Sequence, residues 1–95
     1  MLTKIILDEK IQKVRKYIEK GERIVIVTHI SPDGDALGSS LGLYHFLLAY
    51  GKEQVTIVVP NKFPQFYNWM PGRKEIVVHE KYPEFAEQLI QEADV

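Results

Sequence analysis

The chain has 95 residues, of which 45% are hydrophobic and 26% are charged, and its formal net charge is -1. These values are typical of one small globular domain and exclude an intrinsically disordered chain. The near-neutral charge excludes the broad basic surface with which proteins bind long nucleic acid, while a local site for a small phosphorylated ligand stays open.

Helices and strands alternate along the predicted secondary structure. Apolar residues at helical spacing predict a first helix over 8–20, and the β-branched run at 24–27 predicts a strand buried on both faces. The later elements are, in chain order, a helix from about 35 to 50, a strand at 55–59, one or two helical turns after Phe63, a short strand at 75–79 and a helix that begins at Pro83. This order predicts an α/β fold with an open, mainly parallel sheet and helices on both faces.

The residues that carry chemistry lie in the segment VTHISPDGDALGSSLG, at 27–42. In open parallel sheets, ligands bind beyond the carboxyl ends of the strands, and His29 lies at such an end. Gly34 lets the backbone bend so that the carboxylates of Asp33 and Asp35 can point into one space. One imidazole and two carboxylates, in a chain without cysteine, suit manganese or magnesium better than zinc. We therefore predict that His29, Asp33 and Asp35 bind metal.

Small residues follow the two aspartates. We expect Gly38, Ser39 and Ser40 in the first turns of the second helix, where unpaired backbone N–H groups can hold a phosphate. Metal ligands beside a phosphate site indicate metal-assisted phosphoryl chemistry. A purely structural interpretation stays open, with Asp33 as a turn residue, Asp35 as an N-cap and the glycines in close helix–sheet packing.

The segment VTHISPDGDALGSSLGL resembles the first motif of the DHH family of phosphoesterases. The resemblance is to the branch that contains oligoribonucleases (nanoRNases), pAp phosphatases and cyclic-di-AMP phosphodiesterases, and the segment FYNWMPG is also similar. It implies a Rossmann-like domain in which His29 and Asp33 hold one manganese ion and Asp35 holds the second, with magnesium as a substitute. It further implies that hydroxide activated by two metal ions hydrolyses short oligoribonucleotides, pApA-like dinucleotides or pAp.

Family members continue with a further aspartate, an Asp-His-His motif and a second, substrate-binding domain, and none of these is present in this sequence. We therefore expect residues 1–95 to be the N-terminal portion of a DHH catalytic domain, incomplete and inactive by itself. The expected partner is a short oligonucleotide or nucleotide, and a homodimer of the parent protein is left open. The sequence has neither a secretory-signal pattern nor an apolar run of membrane-spanning length, so we predict a cytoplasmic protein without membrane contacts.

Two other functions stay open at this point. A haloacid-dehalogenase-type phosphatase also uses Asp-x-Asp after a buried strand, with the first aspartate as a nucleophile directly at the strand end. A non-enzymatic nucleotide-binding module would use only the Gly-Ser helix start for a phosphate. The first alternative predicts a phospho-aspartate on Asp33, and the second predicts nucleotide binding that a chelator does not disturb.

Overall fold

The computed structural model describes residues 7–95, and these form three α-helices around one parallel sheet of three strands. In chain order the elements are α1 (Asp8–Lys20), β1 (Arg23–Val27), α2 (Gly34–Ala49), β2 (Gln54–Val59), β3 (Ile76–Val78) and α3 (Pro83–Glu92). Two single 3-10 turns, Gln65–Tyr67 and Arg73–Glu75, lie in the connection between β2 and β3. The predicted alternation of helices and strands is confirmed.

The strands are ordered β1–β2–β3 and all run parallel. Val27 pairs with Val58, and Val59 pairs with Val78, so the carboxyl ends of the three strands meet at one edge of the sheet. Segments that follow β1 and β2 are therefore neighbours in space, which is the arrangement that a ligand site in an open parallel sheet requires.

Helices cover both faces of this sheet, as predicted. On one face, Leu37 and Leu41 of α2 pack against Ile57 and other inward-facing aliphatic residues, and Leu37 is fully buried. The opposite face carries Thr56 of β2, and here Phe85 and Leu89 of α3 line the crevices along the strands. The α/β class and the parallel sheet between two helical layers are thus confirmed.

Burial differs from the sequence prediction at β1. The strand expected to be buried on both faces is β1, yet β1 lies at one end of the strand order and its Val27 side chain is 63% exposed. The central strand β2 has the doubly buried pattern instead, because both of its edges and both of its faces are covered. In α1 no residue is buried, and only Ile18 of its apolar face packs against the core.

The last two residues of the chain lie along the free edge of β1. The N–H group of Val95 donates to the carbonyl oxygen of Arg23 (3.4 Å), and the N–H group of Val25 donates to the carbonyl oxygen of Val95 (3.1 Å). This pair of hydrogen bonds is the parallel bridge pattern, with Ile24 opposite Val95. The side chain of Asp94 strengthens the junction, since its carboxylate accepts from the N–H groups of residues 22 and 23 at 3.0–3.1 Å.

Across residues 7–95, none of the helices is both long enough and apolar enough to cross a membrane.

Candidate functional site

The predicted metal ligands lie in and beside the segment that joins β1 to α2. We call residues 28–33 the motif loop; it follows Val27 at the carboxyl edge of the sheet and ends where α2 begins. Its position confirms that the polar residues follow a parallel strand at the edge where open sheets bind ligands. The side chains of His29, Asp33 and Asp35 are all exposed there.

The imidazole of His29 is held in one tautomer by its own loop. Its Nδ1 atom lies 2.8 Å from the carbonyl oxygen of Ile30. A carbonyl oxygen only accepts hydrogen bonds, so Nδ1 carries the proton and donates it, and the neutral ring has its lone pair on Nε2. Histidines that bind metals usually have this arrangement, with one ring nitrogen donating to a carbonyl and the other free for the ion.

The carboxylate of Asp33 caps α2. Its Oδ1 atom accepts from the N–H group of Ala36 at 2.9 Å, while its backbone carbonyl accepts from the N–H group of Leu37 at 2.9 Å. The bond from Ala36 satisfies a donor that a helix start otherwise leaves unpaired, and the bond from Leu37 is the first regular hydrogen bond of the helix. One carboxylate oxygen, Oδ2, is not used by the cap. The N-cap role that was weighed for Asp35 therefore belongs to Asp33, although a cap of this kind does not prevent metal binding.

Asp35 lies in the first turn of α2, where a negative charge is favoured by the helix dipole. Its backbone carbonyl accepts from the hydroxyl of Ser39 at 2.7 Å. Within residues 7–95 its carboxylate has no hydrogen-bond or ion-pair partner. The side chain is consequently available to a cation that approaches the start of α2.

The three predicted ligands do not form a ready-made coordination sphere. In the part of the chain that the structure describes, no three His, Cys, Asp or Glu side chains converge closely enough to hold a metal ion. The donor types still fit a hard divalent cation, because the site offers a free imidazole nitrogen and exposed carboxylate oxygens. Metal binding by His29, Asp33 and Asp35 stays a prediction, and it requires additional ligands or a movement of the motif loop.

The placement of the phosphate-binding candidates needs a correction. Since α2 begins at Gly34, the backbone N–H groups of Gly38, Ser39 and Ser40 lie beyond the unpaired donors of its first turn. The hydroxyl of Ser39 donates back to the helix, and Ser40 is 7% exposed. A phosphate at this helix end would meet the first turn, and binding by Gly38, Ser39 and Ser40 stays a prediction.

The connection between β2 and β3 packs along the motif loop and α2. The Oδ1 atom of Asn61 accepts from the N–H group of Ser31 at 2.7 Å. The ring of Tyr67 lies 3.3 Å from the position that a Cβ atom on Gly34 would occupy, so the start of α2 tolerates no larger residue there without rearrangement. The sequence analysis did not single out Asn61. Its position just after β2, at the same sheet edge as His29, is the signal that could have identified it.

The other two histidines have hydrogen-bond partners outside the motif loop, and two aromatic side chains of the connection between β2 and β3 face solvent. His79 contacts Glu87 of α3 at 3.1 Å, and His45 lies 3.0 Å from the carbonyl oxygen of Pro71. In the aromatic segment after β2, the side chains of Phe66 and Trp69 are 77% and 71% exposed. These two rings are therefore not part of the core of residues 7–95.

Comparisons with known proteins agree with the motif and the fold. A bifunctional oligoribonuclease and PAP phosphatase, NrnA, from Thermus thermophilus is 44% identical over 68 residues, which cover 70% of this chain and 20% of the relative. The crystal structure of an exopolyphosphatase-related protein from Bacteroides fragilis superposes with a TM-score of 0.90 and 54% identity, over 97% of this chain and 27% of that one. The chain thus spans about a fifth of the curated relative's length. Residues 23–94 match the model of the DHH family, N-terminal domain, and the chain belongs to that family.

Proposed function

We propose that this chain carries the first metal-binding motif of a manganese-dependent phosphoesterase that hydrolyses short oligoribonucleotides, pApA-like dinucleotides or pAp. The observation that supports the proposal best is the 2.8 Å distance from His29 Nδ1 to the carbonyl oxygen of Ile30, because within residues 7–95 it leaves the Nε2 atom without a hydrogen-bond partner. Membership in the DHH family supports the reaction class.

The ligand assignment is the one that the resemblance to the DHH family implies, and the atoms that it needs are not used by hydrogen bonds within residues 7–95. His29 offers Nε2 and Asp33 offers Oδ2, and together they would hold one manganese ion, while Asp35 would hold the second. Magnesium is the substitute, because oxygen ligands suit both ions. Bound in pairs, such ions lower the pKa of water and stabilise the negative charge that develops on a transferring phosphoryl group.

The residues of the motif loop have further tasks in this proposal. Asp33 links the site to α2, because the carboxylate that would bind metal also caps the helix through Ala36. The exposed start of α2 has a positive dipole end that favours a substrate phosphate near Gly34 and Asp35. Substrate phosphate and metal ions would therefore meet at one end of one helix.

The substrate class is proposed from chemistry and from the relatives together. The Thermus thermophilus relative is named an oligoribonuclease and PAP phosphatase, and the Bacteroides fragilis neighbour is named exopolyphosphatase-related. These names share the hydrolysis of phosphate esters or anhydrides. The net charge of -1 also agrees better with a small nucleotide than with long nucleic acid.

The haloacid-dehalogenase alternative has less support. It requires a nucleophilic aspartate directly at the end of β1, whereas β1 ends at Val27 and the side chain of Asp33 caps α2. The metal-free nucleotide-binding module is distinguished by experiment, since it predicts binding that EDTA does not weaken.

The first test measures Mn²⁺ binding to the chain by paramagnetic broadening of backbone amide signals in NMR spectra. We expect broadening centred on residues 29–35, weakened by His29→Ala and by Asp33→Asn. His79→Ala is the matched control, because it removes a histidine whose side chain is hydrogen-bonded to Glu87 of α3. Broadening that is unchanged in His29→Ala would contradict the ligand assignment.

A chimera tests the reaction itself. The 68 matched residues of this chain would replace the equivalent segment of the Thermus thermophilus relative, and hydrolysis of pAp and pApA would be followed with Mn²⁺. We expect metal-dependent hydrolysis that His29→Ala abolishes and His79→Ala preserves. A chimera that melts cooperatively by circular dichroism but hydrolyses neither substrate would refute the proposed function.

A further inference from the structure

Ser31, in the middle of the motif loop, has a backbone conformation that its residue type disfavours. Its φ angle is 54°, and it is the one non-glycine residue with positive φ in the range 7–95. Left-handed backbone is mainly adopted by glycine, and among other residues by Asn, Asp and His more often than by serine. A residue keeps such a conformation only when its surroundings stabilise it.

The contact that stabilises Ser31 comes from the neighbouring strand. Asn61 follows β2, and its side-chain Oδ1 atom accepts from the N–H group of Ser31 at 2.7 Å. The orientation of the amide is unambiguous, because the backbone N–H is a donor and must face the oxygen. Asn61 is half-buried, and β1 and β2 pair up to Val27 and Val58, so its reach to the motif loop is short.

Ser31 lies midway between His29 and Asp33 in the chain. A change of its φ angle to the usual negative range would redirect the backbone between these two side chains. Pro32 is buried, and the Asp33 cap anchors the far end of the loop on α2. The pairing of β1 up to Val27 anchors the near end of the loop, so a loss of the Ser31 conformation would change the geometry between these two anchors, where His29 lies.

We propose that Asn61 is a positioning residue, which holds Ser31 in the left-handed conformation and thereby sets the separation of His29 and Asp33. This inference rests on the proposed function, since it concerns the same metal-binding loop. Asn61 acts on the metal site through the backbone and does not itself bind the ion.

The test compares Asn61→Ala, Asn61→Asp and a matched control, Asn68→Ala. Asn68 lies in the same connection, and its side-chain oxygen accepts from Arg73 at 3.0 Å, away from the motif loop. The first readout, without metal, is the intraresidue HN–Hα NOE of Ser31, which is strong when φ is positive. The second is the dissociation constant for Mn²⁺, measured by EPR of the free ion.

We expect Asn61→Ala to lose the strong NOE and to raise the Mn²⁺ dissociation constant about three- to tenfold, the factor that one hydrogen bond of typical net strength represents. Asn61→Asp keeps an accepting oxygen and should retain the NOE, and Asn68→Ala should match the wild type in both readouts. An Asn61→Ala variant that keeps the NOE, or that loses it while Mn²⁺ affinity is unchanged, would overturn the inference. The Mn²⁺ measurements are made in the chimera with the Thermus thermophilus relative, which supplies ligands from outside this chain. Absence of Mn²⁺ binding in the wild-type chimera would instead refute the proposed function and remove the basis of the inference with it.

Discussion

Substitutions of Asp33 should separate its structural role from its chemical one. In the structure the carboxylate caps α2 through the N–H group of Ala36, and in the proposed function it also binds manganese. Asparagine caps helices about as well as aspartate but is a poor ligand for a hard cation, whereas alanine can do neither. Asp33→Asn and Asp33→Ala therefore differ in stability but not in metal binding.

The expected magnitudes follow from the cap. Loss of an N-cap side chain costs about 1 kcal/mol, within a range of roughly 0.5–2 kcal/mol, so Asp33→Ala should lower the unfolding free energy by that amount. In a domain of this size, 1 kcal/mol corresponds to a decrease in Tm of about 4–8 °C. Asp33→Asn should stay within about 0.5 kcal/mol of the wild type, if the measurement is made at high ionic strength, where the helix-dipole contribution of the charge is screened.

The assay combines urea denaturation, followed by circular dichroism at 222 nm, with Mn²⁺ binding by EPR. Both Asp33 variants should bind Mn²⁺ at least about tenfold more weakly than the wild type. Glu53→Gln is the control, because it neutralises an exposed carboxylate beyond the opposite end of α2. Equal destabilisation by Asn and Ala would refute the cap, and wild-type Mn²⁺ affinity in Asp33→Asn would refute the ligand role.

Three further predictions concern stability. Gly21→Ala should destabilise the fold by about 1–3 kcal/mol in urea denaturation, because the added Cβ would lie 2.5 Å from a side-chain atom of Val95. A variant as stable as the wild type would show that Val95 moves aside at no cost in free energy. Leu37→Ala should cost about 2–5 kcal/mol, since the side chain is 0% exposed, and a loss below about 1 kcal/mol would contradict its place in the core. Hydrogen bonds from the N–H groups of residues 22 and 23 lower the pKa of Asp94 in the folded state. The ionised carboxylate therefore stabilises the fold fully above the ordinary pKa of 3.8, and this stabilisation disappears as the pH falls through the lowered pKa. The difference in Tm between the wild type and Asp94→Ala should therefore shrink in acid, and a difference that stays constant down to pH about 2 would contradict this account.

The order of the elements and the location of the site could be predicted from local patterns. Repeated β-branched runs, helical spacing and turn residues are properties of neighbouring amino acids, so they indicate strands and helices without knowledge of the rest of the fold. The bounds of α1 were predicted to the residue, and the polar motif was placed correctly at the carboxyl end of β1. The motif also led to the DHH family, which the family match confirms.

Burial was predicted less well, because it depends on which element lies opposite. The apolar run of β1 gave no indication that β2, and not β1, would be the central strand. In α2, the helical spacing of Leu37, Leu41 and Tyr44 predicts that Leu48 shares their face, yet Leu48 is 38% exposed and Leu47 is 1% exposed. Spacing within a helix defines a face, but only packing against the sheet decides which of two adjacent leucines is turned inward.

The sequence alone determined the residue types of the motif. They define the chemistry that this chain can support, because an imidazole and two carboxylates suit a divalent cation. Only the tertiary structure decided how those groups are held. The conformation of Ser31 depends on Asn61, which is 30 residues away in the chain. Hydrogen bonds of this kind act over about 3 Å and join residues that become neighbours only when the parallel strands align, so no local pattern in the sequence can predict them.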